Sequence, residues 1–165
     1  MITLKESIEI ETSLEELYNW FMDLEDNFTK WHPNHKKFER LTGGDEVGDI
    51  IYFEECVNGI WYKVKGEITV KEKNEDNFRI EFKTMSGIGR ISFIAKKTEE
   101  GCIFTHIENF GLKTPLIGGV INFLLFNVIA RKKANLDLIL NDMKEDNKNL
   151  KQILEDSARA RSHIQ

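Results

Sequence analysis

Proline and cysteine are both scarce in this chain, two of each in 165 residues. Two cysteines, Cys56 and Cys102, are too few for a disulfide framework, so the fold must rest on a hydrophobic core, and a reducing, cytoplasmic setting is the expectation. Neither has a histidine beside it in sequence, so nothing points to covalent catalysis, and both read as buried thiols. A phosphate-cradling glycine loop and a dinucleotide glycine fingerprint are absent. So are internal repeats and low-complexity tracts. No signal-peptide pattern follows Met1. The most apolar stretch, Leu116 to Ala130, is too short and too interrupted by Gly118, Gly119, Asn122 and Asn127 to span a bilayer. Basic residues are outnumbered, 23 against 28 acidic ones, and the net charge of −5 argues against nucleic acid as a partner.

What the chain does have is aromatic bulk and clear periodicity. Eleven Phe stand against three Trp and three Tyr, within 41% hydrophobic and 31% charged residues. That length and balance suit one domain, expected over residues 1–157, with 158–165 as a frayed tail. Ile2 to Ile10 reads as a strand. Ser13-Leu14-Glu15-Glu16 has the form of a capping box. Leu14, Leu17, Tyr18, Phe21 and Leu24 then recur at helical spacing. Pro33 interrupts the next segment, and a second short helix is expected from Asn34.

Beyond Gly43-Gly44-Asp45 the period becomes two. Strands are expected at Val47 to Val57, Ile60 to Lys71, around Phe78 to Phe82, at Ile88 to Lys97 and at Cys102 to Leu112. Asn58-Gly59 is a hairpin signal, and short turns between consecutive strands mean an antiparallel meander. From Pro115 the pattern is helical almost to the end, with Ile117, Ile121, Leu124, Val128, Leu136 and Ile139 opening a long stripe. Strand, two short helices, five strands and a long helix allow two solutions. The helix covers a flat sheet, or the sheet curls around it and leaves a cavity, with Gly66, Gly87 and Gly89 as candidate points of curvature.

On the last strand His106 and Glu108 share a face with Cys102, Phe104 and Phe110. That face is either a pocket wall with a polar patch, suited to orienting a ligand, or the wet side of the meander. Arg90 and Ser92 carry the same ambiguity. The stretch from Pro115 to Ala130 is hydrophobic nearly all round, which suits a lid over a pocket or a homodimer interface.

The order of elements resembles the START-like (SRPBCC) superfamily, which includes lipid-transfer domains, plant pollen-allergen proteins and polyketide cyclases. The resemblance covers nearly the whole chain. It implies an α+β helix-grip fold: a curved antiparallel sheet of about six strands around a long C-terminal helix, with two short helices after the first strand. Trp20-Phe21, Trp31-His32-Pro33-Asn34-His35 and the strand Val47 to Glu55 resemble segments of the 2,4-diacetylphloroglucinol hydrolase group. Members of that group are zinc-dependent hydrolases that cleave a carbon–carbon bond in an acylated phenol. Their ligands are a His near the helical segment, a Glu on the following strand, and a His and a Glu four apart on the last helix. In this chain the resemblance implies His35 (or His32), one of Glu54 and Glu55, Asp142 and Asp146. Met143 and Asn149-Leu150-Lys151 match the group's final segment, but Asp142 and Asp146 stand where its His and Glu would be.

Residues four apart on a helix lie on one side, so Asp142 and Asp146 can converge. One His with three carboxylates suits manganese or another hard cation at least as well as zinc. The residues taken alone require no metal. The charged stretch Asn141 to Lys151 has the look of a solvated helix face, and by helical geometry Asp146 sits roughly 60° and Asp142 roughly 90–100° from the apolar stripe, boundary positions that are neither buried nor fully outward. Glu54 and Glu55 point to opposite faces of their strand, and both faces are flanked by apolar residues. The expected function is to bind a small hydrophobic or aromatic molecule, lipid- or polyketide-like, in an internal pocket. The alternative is a metal-dependent hydrolase or cyclase acting on such a molecule.

Overall fold

The computed structural model describes residues 1–57, 59–111 and 133–162, with the side chains of 136–161 in the last stretch. In chain order these form β1 (Ile2–Ile10), α1 (Leu14–Met22), α2 (Leu24–Trp31), β2 (His35–Arg40), β3 (Ile50–Val57), β4 (Ile60–Lys73), β5 (Asn77–Thr84), β6 (Gly89–Lys97), β7 (Cys102–Phe110) and α3 (Lys133–Ser162). Among the described residues seven strands make one antiparallel sheet in the order β1-β7-β6-β5-β4-β3-β2. Strands β3 to β7 are the meander, and β1 and β2 are its edges. The sheet curves around α3, which is the helix-grip arrangement.

The start of α1 follows from local chemistry. Ser13 Oγ accepts from the Glu16 N–H at 3.1 Å, and the Glu16 carboxylate accepts from the Ser13 N–H at 3.3 Å. Two otherwise orphaned helix donors are thereby satisfied. The second helix lies earlier than the sequence pattern suggests, closing at Trp31 rather than opening at Asn34. Pro33 is the cause. The residue before a proline is pushed out of the helical region, and His32 is extended, at φ −145° and ψ 145°. The His35 N–H then bonds to the His32 carbonyl at 3.0 Å, and the chain enters β2. This edge strand is the seventh, and it carries His35 on a strand instead of a helix.

Alternation along the strands sends Ile68, Phe78, Ile80, Phe93 and Phe104 into the core, with Leu17, Phe21 and Trp31 from the short helices. The Phe21 ring lies 4.8 Å from Phe93 and 5.4 Å from Phe104, centroid to centroid. Each such ring contributes roughly 1.5–3 kcal/mol by burial. The long strand β4 is bent by a bulge between Ile68 and Val70. Nearby, a Cβ on Gly66 would lie 3.1 Å from the Lys83 carbonyl oxygen, so glycine permits the close approach there.

Met143, Leu150 and Leu154 of α3 are buried, and polar contacts fix the helix to β1. Lys151 Nζ donates to the Glu9 carbonyl at 2.7 Å, and Glu155 accepts from the Glu11 N–H at 2.9 Å. The helix continues past Ser157 to Ser162, where Arg161 pairs with Glu16. Asn58 of the hairpin, and the lid and dimer readings of residues 115–130, fall outside the described residues. Among the described residues no helix is long and apolar enough to cross a membrane. Cys56 and Cys102 are free thiols, and burial pushes the Cys102 thiol up to about 11.

Candidate functional site

The site begins with two edge strands in register. His35 on β2 pairs with Glu55 on β3, next to a bulge between His35 and Lys37. Paired residues on one sheet face meet side chain to side chain, and His35 Nε2 lies 3.6 Å from Glu55 Oε1. The other ring nitrogen, Nδ1, is 3.1 Å from the Phe28 carbonyl. A carbonyl only accepts, so Nδ1 carries hydrogen and Nε2 faces the site. The ring stacks on Phe28 at 4.2 Å. Glu54 points to the opposite face, where Tyr52 Oη donates to it at 2.5 Å and Lys63 sits 3.4 Å away. Glu55 is therefore the strand carboxyl that faces inward, and Glu54 is not part of the cluster.

Helix α3 supplies the third side. The Asp146 side chain is 6% exposed and its Oδ1 lies 3.5 Å from His35 Nε2. Trp31 Nε1 donates to the Asp146 backbone carbonyl at 2.8 Å and ties the end of α2 to this turn of α3. Asp142, one turn earlier, accepts from Asn34 Nδ2 at 2.7 Å. The two aspartates are thus turned inward rather than displayed on a solvated helix face. The sheet curls far enough to bury positions that the helical wheel puts at the edge of the apolar stripe. His32 stands aside: its Nδ1 accepts from the Asn34 N–H at 3.1 Å, and its Nε2 is directed at Glu145, 3.2 Å away.

His106 and Glu108 arrive from β7 and join the same cluster. They line one cavity with His35, Glu55, Asp142 and Asp146. His106 is 4% exposed, and neither ring nitrogen has a hydrogen-bond partner. Glu108 Oε1 is 3.5 Å from its Nε2. The cavity has an inner lobe of about 40 Å³ walled by Phe28, Trp31, Phe38, Phe82 and Phe93, and an outer lobe of about 120 Å³ reaching Tyr62, Phe110 and Ile139. Phe53, Glu55, Ile91, Glu108 and Asp142 line both. An apolar cavity of about 150 Å³ admits benzene, so the outer lobe approaches the size of one small ring. Phe104 is not at the surface of the cavity; it is fully buried behind it, stacked on Phe21 and Phe93. Ser92 and Arg90 turn their polar ends to the outer face, where Glu81 accepts from Ser92 Oγ at 3.0 Å and Arg90 Nε lies 3.3 Å from Glu81.

Burial and neighbouring charge perturb Glu108, Glu55, Asp142, His106 and His35. Burial, with Glu55, Asp146 and Asp142 adding to it, pushes Glu108 up to about 8. Burial raises Glu55 to about 7 despite the opposing pull of His35. Asp142 is raised by burial and by Asp146, against the Asn34 hydrogen bond. Burial lowers His106 to about 4. His35 goes the other way: burial pulls it down, but Asp146 and Glu55 outweigh that and hold it above its ordinary value.

The geometry bears on a metal in two ways. In its favour, Asp146 Oδ1 is buried with no closer polar partner than His35 Nε2 at 3.5 Å, and that imidazole is oriented by a backbone carbonyl as metal-bound histidines are. Against it, among the described residues no group of three or more His, Cys, Asp or Glu side chains is arranged to hold an ion. The side chains fit a two-point contact and not a closed coordination sphere. Two residues of the site were not singled out from the sequence, Asn34 and Trp31 as hydrogen-bond donors to α3. Both lie in the Trp31 to His35 segment, which was their available signal.

No family model and no curated protein matches the sequence. Solved structures do match the fold. The Polyketide_cyc-like protein Cgl2372 from Corynebacterium glutamicum is 18% identical, with a TM-score of 0.58 over 93% of this chain and 91% of that one. A START superfamily protein from Mycobacterium smegmatis is 12% identical, with a TM-score of 0.61 over 93% and 97%. The di-domain ARO/CYC protein StfQ from the steffimycin biosynthetic pathway is 11% identical, with a TM-score of 0.63 over 95% of this chain and 51% of that one. The likeness is one of fold, and the finer resemblance to the diacetylphloroglucinol hydrolase group rests on sequence segments alone. With its seven-stranded sheet curved around α3, this chain has the START-like, polyketide-cyclase-like fold.

Proposed function

We propose that the protein binds a small, largely apolar or aromatic molecule, of the polyketide or lipid kind, in the cavity between the sheet and α3. The observation that carries this is an aromatic-walled cavity whose polar groups gather on one side, with Asp146 Oδ1 and the His106 ring nitrogens lacking hydrogen-bond partners. Apolar walls with a few convergent polar groups are the usual form of a small-molecule site. The polyketide-cyclase and START descriptions of the structural neighbours favour the same class of ligand. The apolar body would lie against Phe53, Ile91 and Phe93, with His106, Glu108 and Glu55 orienting its polar end.

The test is a panel of aromatic and aliphatic compounds, followed by thermal shift and by Trp fluorescence. The expected result is saturable, one-to-one binding that raises the melting temperature. Ile91→Trp fills both lobes and should abolish binding while circular dichroism stays native, since one overpacked residue costs about 1–3 kcal/mol. If no compound in the panel binds, or if Ile91→Trp binds as well as the parent, the pocket is not the site.

A second reading, a metal-dependent hydrolase or cyclase, is favoured by one observation: the unpartnered Asp146 Oδ1 beside His35 Nε2. His35, Glu55, Asp142 and Asp146 are the side chains that would have to close on an ion. The metal content of the purified protein, and the thermal shift on adding zinc or manganese, test it. A gain that is lost in Asp146→Ala supports this reading, and no metal and no gain removes it.

A further inference from the structure

We infer that the ligand of this cavity is an organic cation: a protonated amine on a small aromatic or alicyclic frame. The inference rests on the proposal that the cavity binds a small molecule, and it adds that molecule's charge.

The first observation is an imbalance. Four carboxyl groups and two imidazoles line the inner lobe, and its described lining contains neither Lys nor Arg. The nearby cations are engaged elsewhere. Arg90, at the rim of the outer lobe, turns to Glu81 at 3.3 Å; Lys63 faces Glu54 on the outer face; Lys144 lies 3.7 Å from Glu6. His32 gives its Nε2 to Glu145. The groups that do face the carboxyls at close range are imidazoles: His35 stands between Asp146 and Glu55, at 3.5 and 3.6 Å, and His106 lies 3.5 Å from Glu108.

The second observation is independent of the count. Asp146 is 5% exposed, lines the cavity, and its Oδ1 has no hydrogen-bond partner; the His106 ring nitrogens, 4% exposed, have none either. Buried polar atoms are nearly always paired, and here the protein offers only the long approaches of His35 to Asp146 and Glu108 to His106, both 3.5 Å, which leaves room for a ligand's donor. A carboxyl oxygen accepts, and an ammonium brings up to three N–H donors on a compact charge.

The third observation is the wall. Phe28, Trp31, Phe53 and Phe93 line the space beside the carboxyl groups. Ring faces are negative and attract a desolvated cation, whereas an anionic ligand would be set against four carboxyl groups.

The test uses the full chain and three matched probes: 2-phenylethylamine, 2-phenylethanol and 3-phenylpropionate. Calorimetric titration at mildly alkaline pH should find the amine at least about ten-fold tighter than the alcohol, about 1.4 kcal/mol, with no detectable binding of the carboxylate. Asp146→Asn, checked for native unfolding behaviour, should reduce the amine's advantage; the comparison in the parent protein stands without the variant. If the alcohol binds within two-fold of the amine, the cationic ligand is refuted while the pocket stands. If neither these probes nor a broad compound panel binds, the pocket reading falls and takes this one with it. If one equivalent of zinc or manganese binds and excludes the amine, the cluster is a metal site and the inference is overturned.

Discussion

Replacing Glu108 by Gln should make this protein more stable, and increasingly so as the pH rises. Glu108 is largely buried beside His106, its side chain 17% exposed, and it faces Glu55, Asp142 and Asp146; its carboxyl is raised from 4.5 to about 8, chiefly by burial. In the unfolded chain it ionises near its ordinary value. A carboxyl raised in the folded state contributes stability that is fully present below about pH 4.5 and lost as the pH climbs through about 8. One pKa unit corresponds to about 1.4 kcal/mol, so holding the proton at pH 7 costs the parent protein on the order of 3 kcal/mol, and ionising it above pH 8 about 4–5 kcal/mol. Gln has nearly the same shape and carries no charge at any pH. The variant should exceed the parent by less than about 1 kcal/mol near pH 5 and by about 3 kcal/mol near pH 7. At about 2–4 °C per kcal/mol for a chain of this size, that is roughly 6–12 °C in melting temperature. Urea unfolding of both proteins near pH 5, 7 and 8.5 measures it. A stability difference that does not change with pH would refute the reasoning, because it would mean that Glu108 is not a buried acid.

His106 offers the opposite slope. Its ring is held near 4 by burial, so the parent loses stability as the pH falls from 6.5 toward 4. His106→Leu removes that loss, on the order of 3 kcal/mol, and should be at least as stable as the parent near pH 5 while binding ligand more weakly; acid unfolding curves decide. Trp31→Phe keeps the aromatic packing but leaves the Asp146 carbonyl without its indole donor, at a cost of about 1–3 kcal/mol in urea unfolding. Ser13→Ala removes the cap of α1 and should cost about 1 kcal/mol, with no change in ligand affinity.

What the chain determined by itself is whatever depends on near neighbours. The capping box at Ser13 and Glu16, the two-fold alternation from β3 to β7 and the helical repeat beyond Leu136 are local patterns, and each produced the element it describes. Local pattern failed where the run was short. The six residues His35–Arg40 contain a bulge, and their burial does not alternate, so only pairing with β3 could declare them a strand. Glu54 and Glu55 were bound to face opposite ways, but which one faced inward depended on the side of β3 that the sheet turned to α3. The site needed more still. His35 and Glu55 lie at one end of the sheet, on β2 and β3, while His106 and Glu108 lie on β7, with β4, β5 and β6 between. Nothing in sequence spacing encodes that approach. It comes from twist and bulges accumulated over the whole sheet, which curl it around α3, and the same closure turns Asp142 and Asp146 from the margin of a helical stripe into the lining of a cavity.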